Sequence, residues 1–185
     1  MRALNLVIFS LWIAFWIYWF IEAGRAKRAR TRALTSAGVG VRALVFLVIV
    51  LLLRSATFRG QLDASVSPAV QAAGFTLFVL GIGFAVWARV YLGSNWGMPM
   101  SEKVDPELVT TGPYRYVRHP IYSGIILAMI GTGIAVSAYW LIPAVILAVY
   151  FVFSAAAEER IMLRVFPATY PAYKHASKML IPFLL

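Results

Sequence analysis

The stretch TTGPYRYVRHPIYSG, Thr110 to Gly124, gathers Arg115, Arg118 and His119 immediately before a long apolar run. Arg118, His119 and Pro120 stand at the start of that run, and Tyr122 and Gly124 fall in its first turns if it is helical. Proline suits a first helical turn, where its missing N–H is no loss. A helix N-terminus presents free N–H groups and partial positive charge, so an anionic group is naturally held there. The plain alternative is an interfacial anchor, with arginine at the headgroups and tyrosine in the aromatic belt.

A second constellation, SAAAEERIMLRVFPATYPAYKHASKMLIP, runs from Ser154 to Pro182. Its adjacent acids Glu158 and Glu159 repel each other, and burial also disfavours their charge. They persist when solvated or when cations partner them. The plain reading is a solvated helix surface with Arg160 and Arg164 as local company. Neighbours on a helix point about 100° apart, so one acid can face inward while the other faces out or toward a second partner. Tyr170 and Tyr173 share a face of any helix they occupy. A carboxylate pair, a helix N-terminus and aromatic rings together suit a zwitterionic or cationic ligand. Carboxylates take an ammonium, the helix N-terminus takes a carboxylate, and aromatic faces attract a sulfonium.

These residues need a scaffold that brings them together. The chain has 185 residues, 62% of them hydrophobic, with a mean hydropathy of +0.80. Soluble domains sit nearer half apolar, and runs of about 20 apolar residues are long enough to cross a bilayer. The expectation is an all-α integral membrane protein, a single transmembrane domain over residues 1–185 with five spans. They run from about Leu4 to Ile21, Val39 to Leu53, Pro68 to Leu92, Ile121 to Val136 and Tyr139 to Ala157. Residues 1–92 supply three spans, and residues 93–185 supply the cofactor-binding and catalytic region. A short turn at Ser137 and Ala138 makes the last two spans a tight antiparallel hairpin, followed by an interfacial C-terminal helix. The first segment is long and aromatic-rich and is followed by basic residues, so it reads as a retained helix rather than a cleaved signal.

Basic residues set the orientation. Arg25, Lys27, Arg28, Arg30, Arg32 and Arg42 follow or border the first loop. Lys103, Arg115 and Arg118 precede span four, and Arg160, Arg164, Lys174 and Lys178 lie in the tail. Arg2, Arg54 and Arg59 fall on the other side. This predicts an N-terminus outside and a site facing the cytoplasm. The net charge of +10 is read as headgroup contact rather than nucleic-acid binding. The chain has no cysteine and two histidines, which excludes disulfides, thiol nucleophiles and thiolate-bound zinc and leaves no metal site. No Rossmann fingerprint, P-loop, nucleophile elbow or zinc-protease motif is present. Gly81 and Gly83, like Gly124, Gly131 and Gly133, read first as small residues for close helix contact.

The string R-H-P-x-Y-x-G, the preceding LGSNWG and LVTTGPYRYV, and the acidic pair with Y-x-x-Y resemble the isoprenylcysteine carboxyl methyltransferase family, within the integral membrane phospholipid and isoprenoid methyltransferases. The resemblance covers about Leu92 to Pro182. It implies a membrane-embedded methyltransferase that uses S-adenosylmethionine without a Rossmann domain, in a pocket at the cytoplasmic end of the last hairpin. A lipophilic isoprenoid-like or lipid acceptor would arrive through the membrane. It further implies that Leu108, Val109, Tyr114, His119, Tyr122, Gly124 and Glu158 bind the cofactor, with Arg118 and Glu159 at the reacting centre. Ser154 stands where carboxyl-methylating members carry arginine, which argues against prenylcysteine as acceptor. Pro167 and Lys178 replace a common glycine and arginine. Methyl transfer from a sulfonium has a neutral leaving group, so positioning and exclusion of water carry most of the rate. The competing readings are an NADPH-dependent enzyme like the sterol reductases and a non-catalytic membrane protein.

Overall fold

A computed structural model describes residues 3–24, 36–54, 66–96 and 107–181. Among these residues there are six α-helices and no strand: α1 (Ala3–Ala23), α2 (Ser36–Arg54), α3 (Pro68–Leu92), α4 (Pro120–Ala135), α5 (Leu141–Val165) and α6 (Tyr170–Ala176). Short 3-10 turns at Gly93–Asn95, Gly112–Arg115 and Ala138–Trp140 make local connections.

Helix ends follow the sequence chemistry. Ser67 caps α3, its side chain accepting from the Val70 N–H, with Pro68 in the first turn. Gly93, at φ 55°, ends α3 in a conformation that residues with a Cβ rarely adopt. Pro120 opens α4, and the Ser137 hydroxyl accepts from the Tyr139 N–H to start the turn into α5.

The five expected spans differ in length. Three segments, Ala3–Ala23, Pro68–Asn95 and Ala138–Val165, are long and apolar enough to cross a membrane. The apolar part of α2, Ala43–Leu52, and the whole of α4 are shorter. At about 1.5 Å per residue α4 rises only about 24 Å, against a hydrocarbon core of about 30 Å. The fifth helix is longer than expected: α5 continues through Glu158 and Glu159 to Val165. The loop cations Arg25, Lys27, Arg28, Arg30, Arg32 and Lys103, together with Arg2, Arg59 and the Arg42 side chain, lie outside the described residues.

The central seam is α3 against α4, antiparallel. A Cβ on Gly74 would meet the Ala135 nitrogen at 2.4 Å, and one on Gly81 would meet the Ala128 nitrogen at 2.4 Å. Only glycine lets the two backbones approach so closely, and lipid-embedded helices gain their association from such contact. α1 lies across this pair. Ile8, Phe15 and Trp19 are buried on one face, and Trp12 Nε1 donates to Thr132 Oγ1 at 3.0 Å. Its other faces leave Ile13, Ile17 and Phe20 exposed, as a lipid-facing helix does.

Arg89, near the C-terminal end of α3, is only 1% exposed. Its guanidinium donates to the Gly93 carbonyl and to the Glu22 carbonyl, each at 2.8 Å. It thereby caps the last turns of α3 and α1 together, where cations are favoured. Trp96 and Trp19 cover it, with ring centroids 4.8 and 5.9 Å away.

Candidate active site

α4 begins at Pro120 and α5 ends at Val165, so their hairpin returns residues 118–122 and 158–159 to one end of the bundle. Between them runs the C-terminal segment. Val117 and Lys178 form an isolated parallel bridge. The Lys178 N–H donates to the Tyr116 carbonyl at 3.2 Å, the Arg118 N–H to the Lys178 carbonyl at 2.8 Å and the His119 N–H to the Met179 carbonyl at 3.1 Å. Extended backbone lends its polar groups where helix geometry has stopped, so they do not go unpaired.

The acids meet their cations here. Arg118 Nε lies 2.6 Å from Glu159 Oε1, and Lys174 Nζ lies 2.7 Å from Glu159 Oε2. Arg118 also donates to the carbonyls of Lys174, at 3.0 Å, and Ser177. His119 Nδ1 is 3.5 Å from Glu158 Oε2, and its Nε2 is 3.8 Å from Glu159 Oε1. That last separation is ionic rather than a hydrogen bond, and the buried Nε2 has no hydrogen-bond partner. Tyr122 Oη donates to Glu158 Oε1 at 2.5 Å. Glu159 is 2% exposed and Glu158 is 23% exposed, so the pair divides into an inward acid and a partly open one.

Aromatic rings wall the cluster. His119 and Tyr122 stack with centroids 5.5 Å apart and planes within 5°, and Tyr122 stacks on Phe151 at 4.4 Å and 7°. Tyr173 Oη donates to the Tyr114 carbonyl at 2.7 Å, and Tyr114 Oη donates to the Ala88 carbonyl at 3.3 Å. Tyr170 packs edge-on against Tyr173 at 5.8 Å.

Electrostatics follow from burial and neighbours. Burial opposes protonation of His119, but Glu158 and Glu159 outweigh it and hold the imidazole above its ordinary range. Burial pushes the Tyr173 hydroxyl up to about 12, with Arg118 pulling the other way. Burial likewise raises Tyr114 and Tyr170, so all three remain hydrogen-bond donors.

Arg118, His119, Tyr122, Glu158 and Glu159 therefore share one cluster. Tyr114 adjoins it through Tyr173. Val109 packs against the apolar core that holds Tyr114 and Phe151, and Leu108 is half-buried beside it in sequence. A Cβ on Gly124 would meet the Ala85 nitrogen at 2.6 Å, so α3 packs closely against that residue. Arg160 and Arg164 are exposed, and the acids draw Arg118, His119 and Lys174 from other elements instead. A cavity of about 590 Å³ opens between α1, α2, α4 and α5. Among the described residues no group of His, Asp and Glu could hold a metal.

Sequence reasoning missed Lys174, Ser177 and Phe151 as neighbours of the acids, and Arg89 as a buried clamp. Lys174 carried a signal, standing one residue after the Y-x-x-Y pair. Arg89 carried another, as a cation inside an apolar run flanked by tryptophans.

Residues 70–169 match the phospholipid methyltransferase family, and the chain belongs to it. That span contains both halves of the acid–cation cluster. Over 82 residues the chain is 35% identical to methanethiol S-methyltransferase 1 of Bradyrhizobium diazoefficiens, covering 44% of this chain and 28% of that protein. Over 100 residues it is 30% identical to the nickel-cobalt-cadmium resistance protein NccN of Alcaligenes xylosoxydans xylosoxydans, covering 53% of this chain and 45% of that protein. The chain thus spans less than half the length of either relative.

Proposed function

We propose that the protein is a membrane-embedded methyltransferase that takes its methyl group from S-adenosylmethionine and passes it to a lipophilic acceptor. The observation that carries this reading is the meeting of Arg118-His119 with Glu158-Glu159 at one end of the α4–α5 hairpin, in a chain of a methyltransferase family.

The residues present fit such a donor. Glu158 is the more open carboxylate and suits an ammonium. The buried His119 Nε2 makes no hydrogen bond and meets Glu159 only across 3.8 Å, and the protonated ring suits a carboxylate. The stacked Tyr122 and Phe151 faces suit a sulfonium. When bound, the donor supplies an electrophilic methyl on a positively charged sulfur whose departure needs no acid. Glu159, held by Arg118 and Lys174, fixes the tail over the hairpin end and excludes water. Arg118 thereby acts as a positioning residue, because its guanidinium is engaged by Glu159 and two carbonyls. Glu158, oriented by Tyr122 and His119, takes up the proton of an X–H acceptor. Leu108, Val109 and Tyr114 close the side toward α3.

In this reading residues 1–92 form the membrane scaffold and residues 93–185 the catalytic region. α2 and α4 cross the bilayer as short spans beside the three long ones, with the N-terminus outside and the cluster at the cytoplasmic face. Ligand-dependent stability separates this from a nicotinamide-dependent reductase and from a non-catalytic protein. S-adenosylhomocysteine at about 100-fold over its dissociation constant stabilises a binding protein by about 2.7 kcal/mol. The expected result is a raised Tm of detergent-purified protein with S-adenosylhomocysteine and none with NADPH, lost in Glu158→Gln. A shift with NADPH alone, or with neither ligand, refutes the reading.

A further inference from the structure

One turn deeper than the acid cluster, α1, α2, α4 and α5 line a partly open cavity of about 590 Å³. Trp12 and Trp16 of α1, Phe46 of α2, Met129 of α4, and Trp140 and Tyr150 of the α5 arm form its wall. None of the described residues lining it is charged. The size is that of a small-molecule site. Ile13, Trp16 and Phe46 at its rim are exposed, so the cavity is open on the outer side of the helices.

The cavity is linked to the cluster by a ladder of rings. Tyr150 lies against Phe151 at 5.7 Å, and Phe151 stacks on Tyr122 at 4.4 Å. Tyr122 reaches Glu158 through its hydroxyl at 2.5 Å. Two other lining residues, Ile125 and Leu147, stand one helical turn from Tyr122 and Phe151 respectively. The Tyr122–Phe151 stack is thus the partition between apolar space and the acids.

We propose that this cavity is the acceptor site, and that the acceptor is a neutral, apolar molecule bearing one thiol, phenol or hydroxyl group rather than a phospholipid. The proposal rests on the methyltransferase reading. A phosphate in such a space needs a paired cation, since an unpaired charge in apolar surroundings is strongly disfavoured. Among the described residues the cations that touch the cluster or the neighbouring helix ends are committed elsewhere: Arg118 and Lys174 to Glu159, and Arg89 to two carbonyls. A neutral X–H group meets no such obstacle. It reaches the donor when the Phe151 ring moves off Tyr122. A lone pair on X then forms the new bond to the methyl carbon. The carbon–sulfur pair stays with sulfur as a neutral thioether, and the proton passes from X to Glu158.

The test uses the purified full chain with labelled S-adenosylmethionine and three probes: decanethiol, octylphenol and phosphatidylethanolamine vesicles. Met129→Phe and Leu147→Phe fill the cavity from two walls. The expected result is label on decanethiol or octylphenol and none on the vesicles. Each filling variant should lower that transfer about tenfold or more, as pocket size discrimination does, and keep its thermal stabilisation by S-adenosylhomocysteine. Retained stabilisation shows that a variant is folded and binds donor. Label on phosphatidylethanolamine, no label on any probe, or full transfer by both filled variants overturns the acceptor assignment while leaving donor binding intact. Absence of stabilisation in the unmodified protein overturns the methyltransferase reading itself.

Discussion

Arg118 and Glu159 stand 41 positions apart, yet the guanidinium Nε donates to the carboxylate at 2.6 Å. This contact joins the mouth of α4 to the last turns of α5, and Lys174 adds a third element to the same carboxylate.

Glu159→Gln leaves Arg118 without its charge partner in a buried position. Removing one member of a buried pair typically costs about 3–5 kcal/mol. The Tm in detergent should fall accordingly, and proteolysis after Lys174 or Lys178 should quicken. Glu158→Gln, at the more open acid, should lose donor-dependent stabilisation with a smaller fall in Tm. Equal Tm values for wild type and Glu159→Gln would show that the ion pair holds nothing together.

The α3–α4 seam predicts opposite outcomes for two glycines that are neighbours in sequence. A methyl at Gly81 meets α4 backbone atoms at 2.4 to 2.8 Å, whereas one at Gly83 meets nothing within 4 Å. Gly81→Ala forces the helices apart and should cost about 1–3 kcal/mol or more. Gly83→Ala should be neutral or slightly stabilising, given alanine's higher helix propensity. Comparative unfolding of the two purified variants checks this.

Arg89→Met keeps length and apolar bulk but loses both donated hydrogen bonds. Each bond to a charged donor is worth about 1.5–3 kcal/mol, and the Glu22 and Gly93 carbonyls lose their donor. The expected result is a clear loss of Tm with faster cleavage near Gly24. Arg89→Lys should recover only part of the loss, because an ammonium lacks the planar fork that spans two carbonyls.

His119 makes stability depend on pH. Its folded pKa is raised by Glu158 and Glu159 despite burial, above an unfolded value of about 6.5. The contribution is therefore complete below about 6.5 and is lost as pH rises through the folded value. Tm should decline on the alkaline side of neutrality, and His119→Gln should flatten that decline. A wild-type profile that rises over the same range would contradict the sign.

Helix positions were readable because hydropathy is local: Pro68 and Leu92 bound α3 in the structure as in the sequence. The meeting of His119 with Glu158 was also readable, because a tight turn at Ser137 leaves a hairpin little freedom. The expected span ended at about Ala157, and α5 runs on as one helix to Val165; charged residues resemble a boundary when their distant partners are unseen. Glu158 and Glu159 extend the helix because Arg118, His119 and Lys174 neutralise them. Which helix Gly124 packs against was not readable, because it depends on the rotation of α4 about its axis. No periodicity encoded that angle, because α4 is apolar nearly all round. The link between Val117 and Lys178 was invisible for another reason: it is made by backbone, which carries no residue signature.

That backbone link sets an order of assembly. Lys174, Ser177 and Lys178 are synthesised after all five preceding helices, so Glu159 must wait for Lys174, and Arg118 for the Ser177 carbonyl, until translation has passed them. Before then α5 carries two acids near its end, with Arg118 and His119 as the cations already made. A nascent chain arrested short of residue 174 should hold its helices yet lack a finished acid–cation cluster.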